Sequence, residues 1–150
     1  MIETRVEAYR RLSRELDIAV CSPEHAPGGI FSRAEWVLQG AADMSRIDVG
    51  YGGITGSYKH AMLCQAYGIK CEMHGGHWTN SHILGATPES TCEYFERGLL
   101  RPDLEYDKPE PYLKAIADPL DEDGNVILAS APGLGMEFNW DYIEDHKVAS

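Results

Sequence analysis

Residues 44–76 read MSRIDVGYGGITGSYKHAMLCQAYGIKCEMHGG, and the order of residue types within them decides the fold. "MSRIDV" is a short, mostly apolar run that ends at Gly50, Gly52 and Gly53, as a strand does when it enters a tight turn. A helix follows from about Thr55 to Tyr67 and is closed by Gly68, the residue that best tolerates the left-handed helix stop. "IKCEMH" is a second strand, and it runs into Gly75-Gly76. Strand, helix and strand in this order form a unit whose strands lie parallel, because a parallel pair needs a crossover between its members.

The alternation extends in both directions. Thr4-Arg5-Val6-Glu7 is a capping box, and Val6, Tyr9, Leu12 and Leu16 follow at helical spacing, which predicts a helix over about residues 5–16. "DIAVC" (residues 17–21) is an apolar run of strand type. Ser32-Arg33-Ala34-Glu35 is a second capping box, opening a helix through Trp36, Val37 and Leu38 to Gly40. After Gly76, "HWTNSHILGA" predicts a short helix and "TCEYFER" another strand. Strand starts recur about every 25 residues, alternating with helices, as in parallel βα repeats.

Past Gly98 the pattern breaks. "RPDLEYDKPEPY" is rich in proline and charge and reads as irregular. "GNVILA" and "PGLGMEF" read as two strands joined by a turn, followed by a polar tail. The expected organisation is therefore residues 1–98 as βα units and residues 99–150 as a C-terminal segment of different character.

Composition narrows the function classes. The 150 residues are 43% hydrophobic, enough for one domain with a real core. With 24 acidic against 13 basic side chains the net charge is −11, and no Lys/Arg cluster offers a nucleic-acid groove or an anionic-membrane patch. No run reaches the roughly 18 apolar residues of a membrane span, and Met1 is followed by charged, helix-forming sequence rather than a leader. Cys21, Cys64, Cys71 and Cys92 sit in apolar stretches without a CxxC pair, which reads as reduced, buried thiols of a cytoplasmic protein.

In βα-repeat folds the chemistry projects from the C-terminal ends of the strands. Those positions hold Glu24 after "IAVCSP", Asp48 in "RIDVG", His74 in "CEMHGG" and Glu96 in "EYFER". Roughly a quarter of residues in average proteins are charged, so one such end is unsurprising and four in a row are harder to dismiss.

These residues also carry a resemblance. "VEAYRRLSRELDIAVCSPE", "IDVGYGGITGSYKHAMLCQAYGIKCEMH", "SHILGATPESTCEYFE" and "PGLGMEF" together resemble the enolase superfamily, nearest its mandelate racemase and muconate lactonizing group of sugar-acid dehydratases and racemases. The resemblance covers nearly the whole chain. It implies a partial (β/α)8 barrel, TIM-like, of about four βα units from the C-terminal half plus a C-terminal return segment.

The resemblance also implies roles. Glu24 matches a carboxylate ligand of a catalytic Mg²⁺. His74 matches a histidine base, Asp48 the aspartate that orients it, and Glu96 the acid that hydrogen-bonds the substrate carboxylate or its enolate. His77 and His25 are candidate substrate contacts. A hard cation with oxygen ligands and a histidine usable near neutral pH suit proton abstraction next to a carboxylate. The implied substrate is a small hydroxy acid or sugar acid, and the implied reaction is dehydration before racemisation. The other metal carboxylates and the opposite-face lysine of the family belong to strands without a counterpart here. Self-association or pairing with an N-terminal half is the corresponding expectation, with an inner barrel face left open and partly apolar.

Blander readings stand beside these. Glu24 can cap a helix, and His77 can be a solvated loop residue. His82, beside Ile83 and Leu84, reads as packing behind the barrel. His74, His77 and His82 lack the spacing of a zinc site. Trp36, Trp78 and Trp140 read as core or interface. Against the enzyme reading stand a catalytically inactive remnant and a ligand-binding or association module.

Overall fold

The computed structural model describes residues 5–75, 78–97 and 108–148. The chain divides into two compact units, Met1–Arg97 and Gly98–Ser150.

In the first unit the elements run α1 (Val6–Glu15), α2 (Gly29–Leu38), β1 (Met44–Ile47), α3 (Val49–Tyr67), β2 (Lys70–Met73) and α4 (Thr79–Gly85). β1 and β2 pair in parallel, with Met44 opposite Lys70 and Ile47 opposite Met73. Parallel bridges extend this pair on both sides, from Cys21 to Met44 and from Met73 to Phe95. Four successive segments thus lie side by side in chain order, although "DIAVC" and "TCEYFER" touch the sheet at single bridges and form no full strands. Supporting bonds run from Ser22 N to Met44 O (3.0 Å), His74 N to Ile47 O (2.8 Å) and Cys71 N to Thr91 O (2.8 Å).

Strand alternation separates the two faces. Ser45, Ile47, Cys71 and Met73 point back toward the helices and are buried. Ile47, Cys71 and Met73 pack with Ala61, Cys64, Ile83 and Cys92 into the core. Each large apolar side chain so buried contributes about 1.5–3 kcal/mol. The opposite face presents Met44, Arg46, Lys70 and Glu72 to a wide cleft that Glu93 and Tyr94 also line. Lys70 and Glu93 form an ion pair there. The inner face is thus partly apolar at the strand start, where Met44 lies, while Arg46, Lys70 and Glu72 make the rest of what β1 and β2 present there charged.

The helices depart from expectation in instructive ways. α2 starts at Gly29, three residues before the Ser32 box, because Gly28 and Gly29 adopt positive φ (95° and 54°) and turn the chain directly into the helix. α3 begins at Val49, capped by Asp48 through Gly50 N, and breaks at Gly53, whose φ of 61° and ψ of −177° no helical residue adopts. Gly68 ends α3 at φ 66°, as its sequence position predicts. The Thr4 capping box lies outside the described residues. The α1 stripe meets little: Tyr9 packs edge-on against Trp36 at 4.9 Å, while Leu12 and Leu16 stay exposed.

Cys64, Cys71 and Cys92 are free and buried, as read from sequence, but Cys21 is exposed. The Cys71 thiol donates to Cys64 and holds the latter's pKa down, while Cys71 is itself pushed up by its two sulfur neighbours and by burial.

In the second unit Leu113 bridges Phe138 and Leu120 bridges Val126, both antiparallel, and neither forms a full strand. "GNVILA" and "PGLGMEF" therefore do not become the expected strand pair. The polar tail instead forms α5 (Trp140–Asp145), capped by the Asn139 side chain, which accepts from Tyr142 N at 3.4 Å.

Candidate active site

The loop that carries Glu24 is fixed from behind. Arg33, on α2 and only 3% exposed, donates to the main-chain oxygens of Glu24 (2.7 Å), Ala26 (3.3 Å) and Gly29 (3.4 Å). Its guanidinium also lies over the Tyr51 ring, 5.3 Å from the centroid. So held, Glu24 points one carboxylate oxygen, Oε1, at two imidazoles: His25 Nε2 at 2.8 Å and His74 Nδ1 at 3.3 Å. The other nitrogen of His25 lies 2.5 Å from the Tyr51 hydroxyl, and the His25 ring stands edge-on to His74 at 6.3 Å.

Glu96 approaches from the far side. Its Oε2 accepts from Gly75 N at 2.9 Å and lies 3.8 Å from His74 Nδ1. Gly75 is glycine for a steric reason: a Cβ there would fall onto the Glu96 carbonyl oxygen and lie 2.8 Å from its Cγ. Three of the four strand-end residues read from the sequence, Glu24, His74 and Glu96, thus converge on one imidazole nitrogen, and His25 joins them. His77 lies outside the described residues.

Asp48 is placed differently. Its carboxylate accepts from Gly50 N at 2.9 Å and from Asn80 Nδ2 at 3.4 Å, and the His74 ring is not among its partners. The link to His74 is indirect: Asn80, fully buried, donates to the His74 main-chain oxygen at 2.8 Å and accepts from Val49 N at 3.0 Å. Asp48 and Asn80 therefore fix the backbone on which His74 sits, rather than the ring.

Arg46 was missed from the sequence. Its Nη2 donates to Glu96 Oε2 and lies 3.3 Å from His74 Nδ1, and its Nε lies 3.7 Å from Glu24 Oε2. A charge inside a short, mostly apolar strand, two positions before Asp48, was the available signal. Asn80 and Arg33 gave none, because their work is done chiefly on main-chain atoms, which every residue type supplies. Chemically, the cluster offers an imidazole, two carboxylates and a guanidinium at the open ends of parallel segments, a set suited to moving a proton beside an anionic group.

Known structures share this frame. A D-glucarate dehydratase from Agrobacterium tumefaciens, complexed with magnesium, superposes with a TM-score of 0.91 and is 43% identical over 99% of this chain. A mandelate racemase/muconate lactonizing enzyme from Pseudovibrio sp. superposes over 99% of this chain with a TM-score of 0.78 at 22% identity. A racemase from Roseobacter denitrificans does so over 93% with a TM-score of 0.76 at 20% identity. The chain spans 38% of the dehydratase and 39% of each of the other two. The family model for the enolase C-terminal domain-like fold matches residues 1–142. The chain belongs to the enolase C-terminal domain-like family.

Proposed function

We propose that this chain contributes to an enzyme that removes the proton α to the carboxylate of a small hydroxy acid or sugar acid, with dehydration as the outcome. His74 is the base. It takes the Cα proton, and the electron pair of the broken C–H bond passes into the substrate carboxylate as an enediolate. Glu96, within reach of the same Nδ1, is the acid that hydrogen-bonds the substrate carboxylate or its enediolate. Return of the electron pair expels a hydroxyl from the neighbouring carbon, which leaves as water with the proton. His25, exposed and bonded to Tyr51, is the substrate contact in this reading. Asp48 and Asn80 keep His74 in place through its main chain. The observation that carries this reading is the convergence of Glu24 and Glu96 on His74 Nδ1, at 3.3 and 3.8 Å.

Magnesium belongs to the same reading. Glu24 suits it as one hard oxygen ligand, and when bound the ion would supply charge stabilisation of the enediolate. Among the described residues, however, no group of three or more His, Cys, Asp or Glu side chains is arranged to hold a metal. Glu24 is thus one member of an incomplete ligand set. That same incompleteness favours a second reading, in which the chain binds or associates without turning over.

The test is solvent exchange. The chain is combined with a polypeptide supplying the remaining barrel strands of the dehydratase, and α-deuterium incorporation into sugar diacids is followed by NMR in D2O. Loss of a positioned base costs about 10²–10⁴ in rate, so His74→Asn should abolish exchange on the face His74 serves. Undiminished exchange there refutes the base assignment, and no exchange by the assembled parent favours the second reading.

A further inference from the structure

We propose that Arg46 is a positioning residue of this site: a built-in cation that gathers the Glu24 and Glu96 carboxylates beside His74 and holds the place between them against divalent metal. This rests on the assignment of Glu24, His74 and Glu96 above and adds a residue which the sequence did not mark.

Three observations support it. The first is reach. One guanidinium touches both acids and the ring, with Nη2 on Glu96 Oε2, Nη2 at 3.3 Å from His74 Nδ1 and Nε at 3.7 Å from Glu24 Oε2. A planar fork can serve two carboxylates from two nitrogens, which a lysine ammonium does less well.

The second is charge. Two carboxylates directed at one imidazole nitrogen repel each other unless a cation lies between them, and Arg46, with its side chain only 20% exposed, is fixed there by the strand that bears it.

The third is asymmetry. Among the described residues Nε is buried without a hydrogen-bond partner, and at 3.7 Å Glu24 is too distant to be one. Arg46 therefore binds Glu96 by a direct hydrogen bond and Glu24 by charge alone.

Removing the guanidinium leaves two converging carboxylates, the hard oxygen pair that a divalent cation seeks. The experiment titrates Mn²⁺ alone into the whole 150-residue chain, reading paramagnetic broadening of the His74 and His25 ring protons, with far-ultraviolet circular dichroism as the check on folding. Arg46→Met should bind Mn²⁺ at least about tenfold more tightly than the parent, while Arg46→Lys, which keeps the charge, should stay within about twofold. A folded Arg46→Met variant with parental affinity overturns the proposal, as does an equal gain in Arg46→Lys.

If Arg46→Met does not fold, the double variant Arg46→Met/Glu96→Gln decides. Restored folding supports repulsion between the acids as the cause, and persistent unfolding overturns it. The metal titration does not depend on turnover. Failure of the solvent-exchange test would therefore remove the base assignment without touching this result.

Discussion

Replacing Asn80 by leucine exchanges a buried amide for an apolar side chain of similar size and tests how His74 is held. Asn80 is fully buried, and its two short bonds, from Val49 N at 3.0 Å and to His74 O at 2.8 Å, join α4 to the start of α3 and to the end of β2. The third, to Asp48 at 3.4 Å, is long and contributes little. Leucine leaves the Val49 amide and the His74 carbonyl without partners, at about 1–3 kcal/mol each. Both groups are part-buried and regain some water, so the expected loss is about 2–4 kcal/mol out of a typical 5–15. Urea denaturation followed by tryptophan fluorescence should show a lower midpoint with an unchanged slope. A loss below about 0.5 kcal/mol, the range of ordinary surface substitutions, refutes the reasoning. Asn80→Asp is the companion. It loses the donor to His74 and sets a second carboxylate beside Asp48, so its loss is at least as large and eases on acidification.

Gly75→Ala should displace Glu96, since the new methyl meets the Glu96 carbonyl oxygen and side chain, at about 1–3 kcal/mol for a forced fit. Amide shifts in an NMR correlation spectrum should then move at Phe95 and Glu96, and changes confined to residues beside 75 would contradict this. Glu72 has its pKa raised by burial, against the lowering influence of the Tyr94 amide, Lys70 and Arg46. An acid whose folded pKa is raised favours the folded state only when protonated, so its ionisation removes stability as pH rises through the carboxylate range. Glu72→Gln should therefore be more stable than the parent near neutral pH, with the gap closing as pH falls. A gap that widens on acidification would show this wrong.

The repeat was legible because it is written locally. Gly68 marks a helix end, glycines mark strand ends, and short apolar runs mark segments buried on one side, so β1, β2 and α3 fall close to where they are read. "DIAVC" and "TCEYFER" read as strands from sequence just as "MSRIDV" and "IKCEMH" do. Composition does not say whether a segment will exchange a full ladder or a single bridge with its neighbour. The convergence of Glu24, His74 and Glu96 was legible for the same reason, since each ends its segment. Asp48 shows the limit. Its position at a strand end is equally that of a helix cap, and two amides, Gly50 N and Asn80 Nδ2, outbid the ring. Arg46 acts across 22 or more positions and Asn80 chiefly through main-chain atoms, and no local pattern encodes such contacts.

Arg33 grips the loop that bears Glu24 by main-chain oxygens at three positions, Glu24, Ala26 and Gly29. Every residue type supplies that oxygen, so the grip is blind to what side chains residues 24 and 26 carry. A lineage can exchange those side chains, and with them whatever acid the loop meets, while the path of the chain is inherited unchanged. Variation is thereby steered toward the few atoms facing the ligand, and the cost of trying a new one falls on recognition rather than on folding.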